Sequence, residues 1–310
     1  MTWKRLTTVV FVLLAIVTAG LVARHFARTG WPLHRANLWL VGVAAVIFLG
    51  AYAAKAWGWQ RLFSDSERPA VLTLAAAGGA ASVGGIALPG RCDEVIRVAV
   101  VRRCRRRTAS YGAVALSLVV LGLIDSAAIT PLAIGALASV HLGGWLEVGL
   151  AVIVAAGVAA GGLVLALPRI ARFGFVARFR VGRWLKEHAM PRRETIWAWV
   201  AVVLSWLLRS LATFVLLAAL GFGANYALAL AFVCASAASA VLPVAPAGAA
   251  VQAGAGAAIL VAAGIRAEDA VAFGIAAQAL AIAVGAAFVV VLGMWHAEGR
   301  LTLARQRRLA

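Results

Sequence analysis

The chain has 310 residues, of which 64% are hydrophobic and 13% charged, and its net charge is +18. Its mean hydropathy is +0.97. A water-soluble domain of this length cannot hide so much apolar surface, so lipid is the solvent for most of the chain. The excess arginines fall in short loops between apolar runs, which is the positive-inside pattern with attraction to anionic lipid added, and nucleic acid is not the partner the charge points to. Three cysteines (Cys92, Cys104 and Cys234) have no paired spacing and outline neither a disulfide framework nor a metal cluster.

In chain order, Leu6 to Val22 is apolar behind Lys4 and Arg5 and reads as a retained first helix rather than a cleaved signal. Leu38 to Trp57 is long enough to span, with Lys55 near its end able to snorkel and Trp57 and Trp59 placed as interfacial belt residues. The next apolar run, Ala70 to Leu88, contains Gly78-Gly79 and Gly84-Gly85 and ends at Pro89-Gly90, which disfavours a straight stable helix. If it crossed fully, the arginines from Arg91 to Arg107 would face outside, against the charge rule. A re-entrant hairpin at about 70–90 resolves the conflict, and irregular backbone at that depth must line a cavity or be buried in protein.

Thr108 to Leu137 predicts a membrane helix carrying Asp125 and kinked at Pro131, and Leu146 to Leu167 returns. About 169–190, basic residues alternate with Phe173, Phe175, Phe179 and Trp184, which fits either an interfacial amphipathic helix or a basic loop that happens to be helical. Ile196 to Leu220 crosses with Arg209 near its middle, and Ala270 to Trp295 is the last crossing. Between them, about 226–264, a second irregular apolar region is broken at Pro243, Pro246 and Gly248. The expected fold is an all-α polytopic membrane protein, one transmembrane domain over 1–310. It has six full crossings and two hairpins entering from opposite sides, as in an inverted repeat. Both termini are expected to be cytoplasmic, in a bacterial-type inner membrane.

Several residues stand out chemically. Pro89-Gly90 frees backbone N–H groups just before a helix starting near Asp93. Such a start attracts phosphate, and Arg91 adds a charge-assisted bond. Arg97 lies one turn after Glu94 and can hold that carboxylate or a headgroup oxygen. Asp93 and Glu94 also suit ordinary first-turn acidic placement. Asp125 and Arg209 are ionisable groups inside spanning helices, which face the bundle interior; both a mutual structural pair and a translocation path fit them. Gln252 and Gln278 suit interhelical hydrogen bonds. The five histidines form no ligand spacing, and no Ser or Cys sits with a basic partner at motif spacing, so a non-enzymatic chain without cofactor or metal is expected.

The stretch Leu88-Pro-Gly-Arg-Cys-Asp-Glu-Val-Ile-Arg97 resembles the Leu-Pro-Gly-Arg-x-Gly-Glu-x-x-Arg signature of the lysylphosphatidylglycerol synthase transmembrane-domain family, flippase-like integral membrane proteins. Leu242-Pro-Val-Ala-Pro-Ala-Gly248 resembles its second motif. Asp93 departs from the motif's Gly, Leu121-Gly122 from an expected Glu-Arg, and Gln252 or Ala253 from an expected Glu. The resemblance implies translocation of a phospholipid or other headgroup-bearing lipid, as a stand-alone member without the soluble aminoacyl-transferase domain. The headgroup would lie at Pro89, Gly90, Arg91, Glu94 and Arg97, with membrane lipids, anionic ones first, as partners. The rival expectation is a non-catalytic accessory or scaffold subunit for a lipid-modifying enzyme or glycosyltransferase. Oligomeric state is left open.

Overall fold

The computed structural model describes residues 24, 27–28, 36–87, 92–103, 109–139, 144–170, 192–239 and 248–309. Among them lie nine helices and no strand: α1 (Leu38–Gln60), α2 (Val71–Ala87), α3 (Cys92–Arg103), α4 (Tyr111–Ser139), α5 (Trp145–Ile170), α6 (Arg192–Ala219), α7 (Tyr226–Ser239), α8 (Gly248–Ala262) and α9 (Ala267–Leu309). The protein is an all-α polytopic membrane fold. Five stretches are long and apolar enough to span: Leu38–Gln60, Tyr111–Ser139, Glu147–Ala166, Arg192–Ala219 and Ala267–Trp295. The expected crossing at Leu6 to Val22 and the basic stretch at about 169–190 fall outside the described residues, apart from the end of α5 at Ile170. Large apolar side chains on the outer faces, such as Val46, Val119, Val152, Leu204 and Val290, are exposed, as lipid-facing positions must be.

Helix α1 starts where the Asn37 side chain accepts from Trp39 N–H (3.1 Å) and Leu40 N–H (3.3 Å), satisfying two of the orphan donors at a helix start. It packs antiparallel on α6. Asn37 N–H donates to Ala219 O (2.9 Å) at one end. At the other, a Cβ on Gly58 would lie 3.0 Å from Ala198 O. Trp59, expected in an interfacial belt, is instead buried, its indole N–H donating to Ser117 Oγ of α4 at 2.9 Å.

The glycine-rich run is a second correction. Val71–Ala87 is a continuous helix, through Gly78-Gly79 and Gly84. Tertiary packing explains it. A Cβ on Gly79 would meet Gly285 O of α9 at 2.1 Å, and one on Gly84 would meet Ile96 Cδ1 of α3 at 2.2 Å. Gly79 lets α2 and α9 touch backbone to backbone and Gly84 makes room for the Ile96 side chain, and these contacts offset the low helix propensity of glycine. Helix α4 likewise runs through Pro131 without ending.

Helices α2 and α3 pack on each other as a hairpin, and α7 and α8 do the same. With 17 and 12 residues in the first and 14 and 15 in the second, every arm is shorter than the roughly 20 residues a crossing needs. The mouth of the first hairpin is closed where Glu67 Oε1 accepts from Ser110 N–H at 3.0 Å. The mouth of the second is closed where Phe222 meets Phe273 edge-on at 5.7 Å. The first lies at the C-terminal end of α1 and the second at that of α6. Because α1 and α6 are antiparallel, the hairpins open at opposite ends of the bundle. Replacing Glu67 with Ala is expected to cost about 1 kcal/mol. The measurable sign is faster amide exchange at Ser110 in detergent, with the α7–α8 peptides unchanged.

The packing also repeats. Contacts α1–α2, α2–α3, α3–α4 and α4–α6 recur as α6–α7, α7–α8, α8–α9 and α9–α1, while α2–α9 is answered by α7–α4. The starts of matching helices, Leu38 and Arg192, Val71 and Tyr226, Cys92 and Gly248, Tyr111 and Ala267, lie 154 to 156 residues apart. The described helices form an inverted repeat, with α5 added against α4.

Candidate functional site

The ionisable residues of the bundle interior meet where α1, α4 and α6 come together. Asp125 stands at the midpoint of α4, roughly 21 Å along the axis from either helix end. One of its carboxylate oxygens forms an ion pair and hydrogen bond with Lys55 Nζ of α1. The other accepts from Trp206 Nε1 of α6 at 3.0 Å. An ionised carboxylate at that depth demands such partners, since unsatisfied charge in a membrane interior is costly. The pair keeps 21% and 25% side-chain exposure, so small groups can reach it.

Two aromatic rings complete the cluster. Lys55 Nζ lies 5.6 Å from the Trp206 ring centroid. The Arg209 guanidinium lies 5.0 Å from the same ring and 5.4 Å from that of Tyr52. Ring quadrupoles attract cations at these distances. Tyr52 is held in turn by Ser82 Oγ of α2 (2.8 Å) and donates to Ala281 O of α9 (3.3 Å). The cluster therefore touches both halves of the repeat.

These contacts correct two expectations. Lys55 does not run to the interface: its ammonium is met by Asp125. Asp125 and Arg209 are not an ion pair: they share Trp206, and Arg209 is met by ring faces. Among the described residues Arg209 has no salt-bridge partner, and its Nε is buried without a hydrogen-bond acceptor. The cluster therefore holds two cations and one carboxylate, and only Lys55 is paired with it.

Arg97 of α3 is within reach of this field, its charge acting on Lys55 together with those of Asp125 and Arg209. It bridges to Asp93, one turn earlier, at 3.6 Å. The motif departure at Asp93 therefore supplies the carboxylate that neutralises Arg97. Glu94 is exposed on the same helix. Pro89, Gly90 and Arg91, and Pro243 and Pro246, lie outside the described residues, and Gly248 begins α8. Ser236 Oγ donates to the Gln252 backbone carbonyl at 3.0 Å, tying α7 to α8.

Lys55, Tyr52 and Trp206 are the site residues that motif reading overlooks. A signal exists, however. Leu88-Pro89 and Leu242-Pro243 are 154 residues apart, and the same step carries Tyr52 to Trp206 and Lys55 to Arg209.

Among the described residues, Arg61, Arg68 and Arg102 lie at one end of the bundle. Arg61 Nη1 reaches Glu194 Oε2 at 3.1 Å, with Arg68 at 3.8 Å from the same oxygen. Arg102 stacks 3.5 Å from the Tyr111 ring centroid and donates to Ala109 O at 3.4 Å.

No curated protein and no solved structure matched the chain. The sequence model described as the lysylphosphatidylglycerol synthase TM region matches residues 5–293, nearly the whole length. With its Leu-Pro-Gly-Arg stretch, apolar helices and paired short hairpins, the chain belongs to the lysylphosphatidylglycerol synthase transmembrane-region family.

Proposed function

We propose that the protein moves a lipid with an anionic headgroup between membrane leaflets, without covalent chemistry, cofactor or metal. The two hairpins are re-entrant, opening to opposite faces, and the headgroup passes the Lys55–Asp125–Arg209 cluster between them. The observation that carries this reading is the surplus cation at mid-bundle depth, where a charge without function would be selected against on energetic grounds alone. Half-membrane hairpins from inverted repeats commonly enclose midplane sites. Family membership supports a lipid-related membrane role. Arg97, in the first turns of the first hairpin's return arm, receives the headgroup on its way to the cluster, together with Arg91 of the Leu-Pro-Gly-Arg stretch, while Glu94 on the same helix holds a cationic group of the headgroup where there is one. The end of the bundle bearing Arg61, Arg68, Arg102 and Arg192 is the cytoplasmic one, in a bacterial-type inner membrane, by the positive-inside rule.

Purified protein reconstituted in liposomes with fluorescently labelled phosphatidylglycerol tests the proposal. The expected result is faster loss of inner-leaflet label to an external quencher than in protein-free liposomes. Equal rates for several labelled headgroups, with and without protein, would refute it.

A further inference from the structure

The repeat offers a comparison between the two halves of the site. Tyr52 and Lys55 of α1 correspond to Trp206 and Arg209 of α6, at the 154-residue spacing of those helix starts. Asp125 of α4 corresponds to Ala281 of α9, at the 156-residue spacing of theirs. Contacts follow this correspondence. Lys55 lies over Trp206, and Arg209 lies over Tyr52, so each half's cation faces the other half's ring. Trp206 donates to the Asp125 side chain, and Tyr52 donates to the Ala281 carbonyl. One chemical difference breaks the symmetry. Lys55 has a built-in carboxylate, whereas the position matching Asp125 in the other half is Ala281, which has none to offer Arg209, and the buried Arg209 Nε has no acceptor.

We infer that Arg209 binds the phosphate anion of the transported lipid, which stands beside it where Asp125 stands beside Lys55. The inference rests on the lipid-translocation reading for its source of ligand. A guanidinium edge offers Nε–H and Nη–H as parallel donors to two oxygens of one phosphate. Ala281 contributes no charge to compete for them, and it is only partly buried, so the approach from that side is not sealed. Asp125 keeps Lys55 neutralised throughout, so one anion balances the cluster. The ligand is thus a headgroup with a net negative charge, and zwitterionic lipids, which bring their own cation, bind less well. A lipid reaches this depth with its chains in the surrounding bilayer, whereas free phosphate must enter alone.

Native mass spectrometry of the detergent-solubilised full chain, titrated with short-chain phosphatidylglycerol, short-chain phosphatidylcholine or inorganic phosphate, reads the site directly. Arg209→Met should lower phosphatidylglycerol affinity by about tenfold or more. Ala281→Asp should lower it as far by supplying an internal rival anion, while Ala281→Asn, equal in size and uncharged, should lower it much less. Thermal unfolding of each variant identifies any that does not fold, and Arg209→Met with Ala281→Asn decides the matter if Ala281→Asp fails to. Wild-type binding by Arg209→Met, or equal losses in Ala281→Asn and Ala281→Asp, overturns the assignment. Displacement of phosphatidylglycerol by inorganic phosphate at millimolar concentration would keep the anion site and remove the lipid source. Arg209-dependent binding in a protein that moves no lipid in liposomes would remove the translocation reading alone.

Discussion

Replacing Asp125 with Asn is expected to cost on the order of 3 kcal/mol of stability, and adding Lys55→Met to the same chain is expected to return most of it. Asn preserves shape and can still accept from Trp206 Nε1, so the substitution removes little but the charge. What remains is an ammonium at mid-bundle depth with no carboxylate and with the Arg209 charge nearby. Breaking a buried ion pair costs about 3–5 kcal/mol because it strands one charge, while removing both charges is often nearly neutral. The lower end applies here, since each side chain keeps between a fifth and a quarter of its exposure. Thermal unfolding in one detergent measures it. A double variant no more stable than Asp125→Asn would show that the pair does not act through charge.

The second large effect is steric. Gly79→Ala is expected to destabilise by about 3 kcal/mol or to prevent folding, whereas Gly42→Ala is expected to stabilise by about 0.5–1 kcal/mol. The chemical change is the same methyl group in a helix. At Gly79 it would lie 2.1 Å from Gly285 O and 2.7 Å from Gly285 C, backbone atoms that move only if α2 and α9 separate. At Gly42 it meets nothing within 4 Å. Tyr52 would lose ground too, because its hydroxyl bridges Ser82 of α2 and Ala281 of α9 across this contact. Melting temperature and the size-exclusion profile of the two variants, prepared in parallel, separate the outcomes. Similar behaviour would mean that the α2–α9 contact yields easily.

Much of the architecture was legible from composition and periodicity. Apolar runs of about twenty residues separated by arginines have few physical solutions other than spanning helices. The expected spans at 38–57, 108–137, 146–167 and 196–220 fall within three or four residues of α1, α4, α5 and α6. Charge placement led to a hairpin contained within about 70–90, but that run is one helix, Val71–Ala87, and the arm that packs on it is the next helix, Cys92–Arg103. The interior of that run was misread, because helix propensity counts glycine as a loss and cannot see Gly285 waiting on a helix two hundred residues later.

The candidate site divides in the same way. That Asp125 and Arg209 lie inside the bundle followed from the sequence by itself, since a charge in a spanning helix has nowhere else to go. So did the membrane fold, the family and the likeness of the two Pro-broken stretches. Which charges meet was decided only by the tertiary structure. Lys55, near the end of its helix, is placed for the interface by position, yet the antiparallel packing of α1 on α6 and the crossing of α4 bring its ammonium to Asp125 and leave Arg209 to the rings of Tyr52 and Trp206. The reason is geometric. Depth along a helix is written in residue number, whereas the partner depends on how each helix is rotated and on which neighbour it faces, and those are set by contacts such as Gly58 on Ala198 and Gly79 on Gly285.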